Sequence, residues 1–267
     1  MIEFTDLLKY EFMRNALAAG VAAAFLCGII GIYIVLNKLV FISDGIAHAA
    51  FGGIGLGYFL GYDPLAIGVV SAVATAIGIG VVSSKSKVSE DTAIGVFLAT
   101  GMALGIIFLS LAQGYGRDLF GYLFGNILAV TREDVGVICA LTLVVLIIVI
   151  ALYKEFLVLS FDPTYGEAVG LPVQRLRLLL LCMVAFTVVV LIKIVGIILL
   201  IALLTIPGAI SRQYMKGLPG IMAGAIILGI VFVTIGLAVS YLLNVPSGAT
   251  IILTAAFTFF ISTFLSR

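Results

Sequence analysis

Long apolar runs separated by short polar segments dominate the chain from Asn15 to Leu265. A helix needs roughly 20 apolar residues to cross the hydrocarbon core of a bilayer, and its backbone groups must bond to each other within that core. The pattern therefore predicts an all-α integral membrane protein with about nine transmembrane helices (eight or nine). The predicted spans are residues 15–36, 43–61, 65–82, 92–112, 135–153, 178–210 divided into two at Lys193 and Gly196, 221–243 and 249–265.

The composition agrees with a membrane location. Of the 267 residues, 63% are hydrophobic and 10% are charged, whereas soluble domains carry about 25% charged residues. The net charge of +1 gives no reason to expect a nucleic-acid partner. Cys27, Cys139 and Cys182 lie far apart in predicted spans, which favours packing residues over a disulfide framework or a CxxC metal site. Residues 1–267 are therefore treated as a single transmembrane domain.

Two segments have an amphipathic or mixed pattern that is too short to span. The first 14 residues combine charged and large apolar side chains, which predicts a helix on the membrane surface rather than a cleavable signal sequence. Residues 119–128 predict a short helix that lies at the surface or is partly re-entrant.

The distribution of basic residues predicts the orientation, because Lys and Arg are enriched in cytoplasmic loops. With the C-terminus inside, the inner segments hold nine of the 14 basic residues and the outer segments hold five. We therefore expect a multi-pass protein of the cell (inner) membrane, with a cytoplasmic C-terminus and an outer N-terminus. The five outer residues are Lys9, Arg14, Arg117, Arg132 and Lys193.

A pair of ionisable residues interrupts the second predicted span. Asp44 and His48, the single histidine of the chain, are four residues apart and so share one face of a helix. Each such group costs roughly 2.5–3.5 kcal/mol inside a bilayer, and divalent transition metals accept this mixture of oxygen and nitrogen donors. The pair is a candidate for metal or proton handling. In the structural alternative, Asp44 is solvated at the membrane rim and His48 bonds to a neighbouring helix.

Capping residues mark the ends of two predicted helices. Residues 154–177 form the one sizeable soluble-looking loop, in which Asp162 and Pro163 predict the start of a short helix. Gly170, with Pro172 just after it, predicts the end of that helix in a left-handed conformation. Asp91 is predicted to cap the fourth span.

Several glycines are spaced four residues apart, and in membranes such spacing lets two helices approach closely. We predict helix packing rather than substrate binding for these positions, which are Gly53, Gly57, Gly61, Gly101, Gly105, Gly220 and Gly224. No GxxxxGK[ST], GxSxG or HExxH stretch occurs in the sequence, so neither ATP binding through a P-loop nor a known hydrolytic site is predicted.

Six stretches resemble the ABC-3 family, the permease subunits of bacterial and archaeal ABC importers for zinc, manganese and iron. They occur in the family's order over nearly the whole chain: ALAAGVAAAFLCGIIGIYIVLNKLVFISDGIAHAAFGGIGLGYFLG, SEDTAIGVFLATGMALG, LFGYLFGNILAVT, FDPTYGEAVGLPV, IVGIILLIALLTIPGAISR and SYLLNVPSGATIIL. The resemblance implies the fold of cobalamin and siderophore importer permeases without its first helix. It also implies that Asp44 and His48, which match the family's D-x-x-x-H pair, contact the metal in transit.

The resemblance further implies a transport subunit rather than an enzyme, with ATP hydrolysis in a separate partner chain. The expected partners are a second copy of the chain, a cytoplasmic ABC ATPase, an extracellular or periplasmic metal-binding protein, and the lipid bilayer. The ATPase would dock on the 154–177 loop, whose coupling helix includes Asp162, Glu167 and Gly170. The cargo would be zinc, manganese or iron, with no permanently bound cofactor. Two Asp/His pairs across a dimer axis would supply the four ligands that a transition metal usually takes.

Two other functions remain open at this point. A proton- or ion-coupled secondary transporter would use Asp44 and His48 as a relay and would need neither a docking helix nor ATP. An ABC permease for a siderophore or cobalamin would have a wider pathway without metal-binding side chains in it.

Overall fold

A computed structural model describes residues 10–85, 88–112 and 125–266, and this part of the chain contains helices and no strands. Eight of the described helices are long and apolar enough to cross a membrane, which confirms the predicted all-α membrane fold. In chain order the helices are α1 (Glu11–Leu36), α2 (Val40–Leu60), α3 (Pro64–Lys85), α4 (Glu90–Leu111), α5 (Arg132–Ala151), α6 (Tyr153–Phe161), α7 (Pro163–Ala168), α8 (Val173–Tyr214), α9 (Leu218–Leu243) and α10 (Ser247–Leu265), with a 3₁₀ turn at Ile127–Ala129.

Helix α8 explains the difference between eight and nine spans. Its 42 residues correspond to about 63 Å, twice the ~30 Å hydrocarbon core. Gly196 interrupts it with φ 77° and ψ 165°, a conformation outside the helical region that glycine adopts because it lacks a Cβ. The interruption leaves segments 173–195 and 197–214, each long enough for one span, close to the predicted division.

Contacts between Cα atoms divide the chain into two compact units. The first unit comprises Met1–Val35, Phe120–Ala151 and Leu191–Arg267, and the second comprises Leu36–Leu119 and Leu152–Val190.

In the second unit, α2 packs against α3 and α4 at glycines on all three helices. A Cβ on Gly52 would lie 2.8 Å from the carbonyl oxygen of Gly101, and a Cβ on Gly55 would lie 2.6 Å from that of Gly105. Such separations leave no space for a side chain, so the backbones of α2 and α4 are in contact. The prediction that Gly101 and Gly105 serve helix packing is confirmed.

In the first unit, small residues bring α9 against both α1 and α10. A Cβ on Gly28 would lie 2.9 Å from Cα of Ile226, and a Cβ on Gly236 would lie 2.6 Å from Cα of Ile251. Gly224 packs on the side chains of Ser211 and Met215, as predicted for that glycine. The Cβ position of Gly220 has one distant neighbour at 3.9 Å, so close packing is not observed there.

The sequence analysis predicted one short helix within residues 154–177, and the structure contains a second helix there, α6. Helix α6 buries Phe156 and Leu159 on one side, and Asp162 separates it from α7. Helix α6 was not predicted, because polar residues occur among its apolar ones: Lys154, Glu155 and Ser160.

Two further predictions fall partly outside the described residues. Of the predicted surface helix over residues 1–14, residues 1–9 are not described, and α1 begins at Glu11. Of the predicted short helix over residues 119–128, the structure describes 125–128, where the 3₁₀ turn begins at Ile127.

Candidate functional site

Helix α2 carries Asp44 and His48 at the partly accessible side of an otherwise buried segment. From Ile42 to Gly55, every residue of α2 except these two is buried. The side chains of Asp44 and His48 are 30% and 19% exposed. Buried Gly and Ala residues around the pair let the neighbouring helices approach α2, and the two polar side chains remain open to an outside ligand.

The two side chains contact each other in a specific way. His48 Nδ1 lies 3.1 Å from Asp44 Oδ1 and 3.0 Å from the backbone oxygen of Asp44. A carbonyl oxygen can only accept a hydrogen bond, so Nδ1 carries a proton and donates it. In a neutral imidazole the lone pair then resides on Nε2.

The predicted position of Asp44 and His48 on one helix face is observed. The carboxylate and the backbone carbonyl of Asp44 both contact Nδ1 of His48, and Nε2 takes no part in these contacts. This is a common arrangement for metal-binding histidines, in which the second nitrogen donates to a carboxylate or carbonyl.

One chain supplies few possible metal ligands. Within the described part of the chain, no group of three or more His, Cys, Asp or Glu side chains could hold a metal ion. The pair on α2 thus offers two donor groups, and a transition metal would complete its coordination with water or with groups from another molecule.

A cavity of about 380 Å³ lies between α2, α3 and α4 of the second unit, and its lining on α2 begins at Ala49. Gly52 and Leu56 line it, and the four-residue spacing places them on the same helix face as Asp44 and His48. The lining is mostly apolar with hydroxyl groups among it, and Ser71 Oγ donates to the Ala49 oxygen at 3.0 Å. The cavity therefore begins at the residue that follows His48 in α2, although Asp44 and His48 do not line it.

The predicted caps of the short helix α7 are confirmed. Asp162 Oδ1 accepts a hydrogen bond from the Tyr165 amide at 2.9 Å, and Pro163 occupies the first helical position. Gly170 has φ +84°, and its amide donates to the Glu167 oxygen at 3.1 Å. The Leu171 amide donates to the Gly166 oxygen at 2.9 Å, which completes a Schellman motif.

An exposed apolar patch on and around α7 was missed by the sequence analysis. Phe161, Tyr165 and Val169 follow one another at intervals of four residues, and each is more than half exposed. We call these three side chains the α7 patch. Their four-residue spacing is visible in the sequence, but the sequence analysis of this segment considered only its capping and charged residues.

A hydrogen bond connects this segment to the start of α2. Asn37 Nδ2 donates to Ser160 Oγ at 3.2 Å, and Asn37 lies in the turn between α1 and α2. Within the second unit, α6 is therefore tied to the base of the helix that carries Asp44 and His48.

The prediction that Asp91 caps α4 was wrong. The helix begins at Glu90, and Ser89 is its N-cap, with Ser89 Oγ accepting from the Thr92 amide at 3.2 Å. Ser89 has the extended backbone that an N-cap needs, and Asp91 already lies in the first turn.

The described helices are long enough to span a membrane, and they carry an ionisable pair beside a cavity and an exposed helical segment between spans. These are the features of a transport permease. The model of the ABC 3 transport family matches residues 9–266, and the chain belongs to that family.

Relatives cover almost the whole chain. An uncharacterized membrane protein from Synechocystis sp. is 47% identical over 98% of this chain and 94% of its own length. The manganese transport system membrane protein MntC from Halalkalibacterium halodurans is 36% identical, with 98% of this chain and 90% of that protein covered. The manganese import system permease protein ScaB from Streptococcus parasanguinis is 33% identical over 99% of this chain and 94% of its own length.

Solved structures of two other proteins share the fold of this chain. PsaBC from Streptococcus pneumoniae in complex with Fab matches with a TM-score of 0.87 and 33% identity, covering 97% of this chain and 93% of that chain. An inward-facing conformation of a putative metal-chelate type ABC transporter matches with a TM-score of 0.71 over 99% of this chain and 90% of that chain. Its 16% identity shows a shared fold only.

Proposed function

We propose that this chain is the permease subunit of an ABC importer that moves a divalent transition metal, first of all manganese, into the cytoplasm. The observation that carries the proposal is the orientation of His48, whose Nδ1 bonds to Asp44 so that Nε2 remains for an ion. The names of MntC and ScaB, which refer to manganese transport, support the choice of metal.

Asp44 and His48 would contact the ion during passage. Nε2 of His48 would donate its lone pair, and the carboxylate of Asp44 would offer negative charge and an oxygen ligand. Two donors hold an ion weakly compared with a complete set of four or more, which suits a site that must release its cargo. A homodimer would bring two such pairs together, giving four protein donors around one pathway.

Zinc and iron(II) accept the same donor atoms as manganese. The preference for manganese therefore rests on the relatives, and competition between the three metals in an uptake assay tests it.

The ATPase would be a separate chain that docks on α7 and the residues around it. The α7 patch offers exposed apolar surface, and Asp162 and Gly170 hold both ends of α7 in a defined conformation. Glu167 is exposed and adds a charge to the same short helix. The hydrogen bond between Asn37 and Ser160 would connect a movement of α6 to α2.

Contacts in the first unit support the proposed orientation, with the N-terminus outside and the C-terminus in the cytoplasm. Arg132 pairs with Glu11 at 2.9 Å, so α1 and α5 begin at the same end of this unit. Lys193 pairs with Asp134 at 2.7 Å and lies at that end too. Arg132 and Lys193, two of the basic residues assigned to the outer side, thus occur at one end of the unit, where an external metal-binding protein would deliver the ion.

Metal uptake into proteoliposomes that contain the reconstituted importer tests the role of the pair. The variant His48→Ala should lose uptake, and Asp44→Asn should lose at least about tenfold, since groups around a metal contribute roughly 10–100-fold. Asp44→Asn is informative because the backbone oxygen of Asp44 still orients the ring, so only the charge is removed. Asp91→Asn, which changes an exposed acid in the first turn of α4, is the matched control.

Protein level and ATPase association should remain normal in all variants. Unchanged uptake by His48→Ala would contradict the metal role of the pair. Metal uptake by the permease without the ATPase or ATP would instead indicate a secondary transporter.

A further inference from the structure

A groove of about 620 Å³ runs along the first unit between α1 and α5. Arg14, Ala18 and Ala22 follow one another at intervals of four residues on α1, so they lie on one face. The small alanine side chains form the floor of the groove below Arg14. Phe25 closes its far end, and Leu143 and Leu146 of α5 form a wall.

The length of the groove matches one leaflet of a bilayer. Arg14 and Phe25 are eleven residues apart in α1, which corresponds to about 16 Å, roughly half of the ~30 Å hydrocarbon core. The groove ends at Phe25, although α1 continues to Leu36. A transmembrane helix from another molecule would contact α1 along its whole length, whereas an acyl chain ends at the middle of the membrane.

The mouth of the groove has a positive charge. Glu11 pairs with Arg132 at 2.9 Å, and no carboxylate in the described part of the chain lies within ion-pair distance of Arg14. Arg14 is exposed in the first turns of α1, where a spanning helix meets the headgroup region. A guanidinium group at this depth is suited to bind phosphate with two hydrogen bonds.

We propose that this groove binds an anionic phospholipid, whose phosphate contacts Arg14 and one of whose acyl chains lies over Ala18 and Ala22. A basic residue near a membrane surface contributes about 1 kcal/mol toward binding acidic lipids, which corresponds to roughly fivefold in affinity. The groove therefore prefers phosphatidylglycerol to phosphatidylcholine by about fivefold. This inference does not depend on the transported metal.

The chain contains no tryptophan, so a single introduced indole reports on one position. Leu143→Trp places it at the groove wall, and Leu253→Trp places it on the exposed side of α10 as a matched control. The full-length variants are reconstituted into phosphatidylcholine vesicles that contain increasing fractions of brominated phosphatidylglycerol or brominated phosphatidylcholine, which quench indole fluorescence on contact.

Leu143→Trp should reach half-maximal quenching at about fivefold lower fractions of phosphatidylglycerol than of phosphatidylcholine, and Leu253→Trp should show no preference. Adding Arg14→Gln to Leu143→Trp should remove the difference. Equal quenching by both lipids, or a preference that survives Arg14→Gln, would overturn the proposal. Quenching of Leu253→Trp but not of Leu143→Trp would also overturn it, because protein would then cover the groove.

A second measurement avoids the tryptophan substitution. Native mass spectrometry of the unsubstituted protein, purified with phosphatidylglycerol, should show a retained lipid that Arg14→Gln loses. Arg212→Gln, which removes an exposed arginine at the end of α8, should keep it. Equal retention in the two variants would exclude Arg14 as the phosphate contact.

Discussion

Replacement of Gly170 tests whether the conformation of the α7 segment matters for ATPase association. Gly170 has φ +84°, and no atom lies within 4 Å of the position that a Cβ would occupy. A side chain at this position therefore meets no steric obstacle, and only the backbone conformation is disfavoured. The comparison of Gly170→Val, Gly170→Ala and Gly170→Asn separates this effect from side-chain size.

The expected magnitude follows from the cost of a left-handed backbone, which is about 1–2 kcal/mol for residues with a Cβ. Asparagine adopts this conformation more readily, so Gly170→Asn should be the mildest variant. Valine should be the most severe because it is β-branched. Loss of the bonds from Gly170 to Glu167 and from Leu171 to Gly166 would release the C-terminal end of α7.

Hydrogen exchange and co-purification provide the two readouts. A local cost of one or two kcal/mol should accelerate exchange of the Gly170 and Leu171 amides by about 5–30-fold in the valine variant. The amount of ATPase retained per permease should fall in the order Asn, Ala, Val. Gly136→Ala, at an open helical position in α5, should change neither readout. Equal ATPase retention by the Val and Asn variants would refute the role of this turn.

Two further substitutions test how α4 starts and packs. Ser89→Ala should lower the free energy of unfolding by about 1 kcal/mol in a thermal unfolding assay, because it removes the N-cap. Asp91→Asn should change this free energy by no more than about 0.5 kcal/mol. A larger loss for Asp91→Asn than for Ser89→Ala would indicate that Asp91 is the cap. Gly101→Leu should sharply reduce the folded protein recovered by size-exclusion chromatography, because its Cβ would collide with the Ala49 backbone of α2, whereas Gly136→Leu should not. Equal recovery of both leucine variants would contradict the close packing of α2 on α4.

The sequence by itself determined the features that depend on short stretches of chain. Span positions follow from run length and hydropathy, because the bilayer core requires a certain number of apolar residues. The meeting of Asp44 and His48 follows from their four-residue spacing on any helix. The caps at Asp162 and Gly170 follow from local backbone preferences, and for that reason they were correct before the structure was known.

The tertiary structure decided the features for which the sequence offers several nearby alternatives, or which depend on packing between distant segments. Ser89 and Asp91 are both good capping residues, and the position at which α4 begins selects Ser89. Helix α6 buries Phe156 and Leu159. Their burial depends on residues distant in sequence, so the sequence alone did not reveal the helix. The break in α8 could belong to any of several positions near Lys193, and the structure assigns it to Gly196 through its backbone angles. The spacing of Asp44 and His48 left open which ring nitrogen contacts Asp44, and the structure shows that Nδ1 lies beside two oxygens of Asp44.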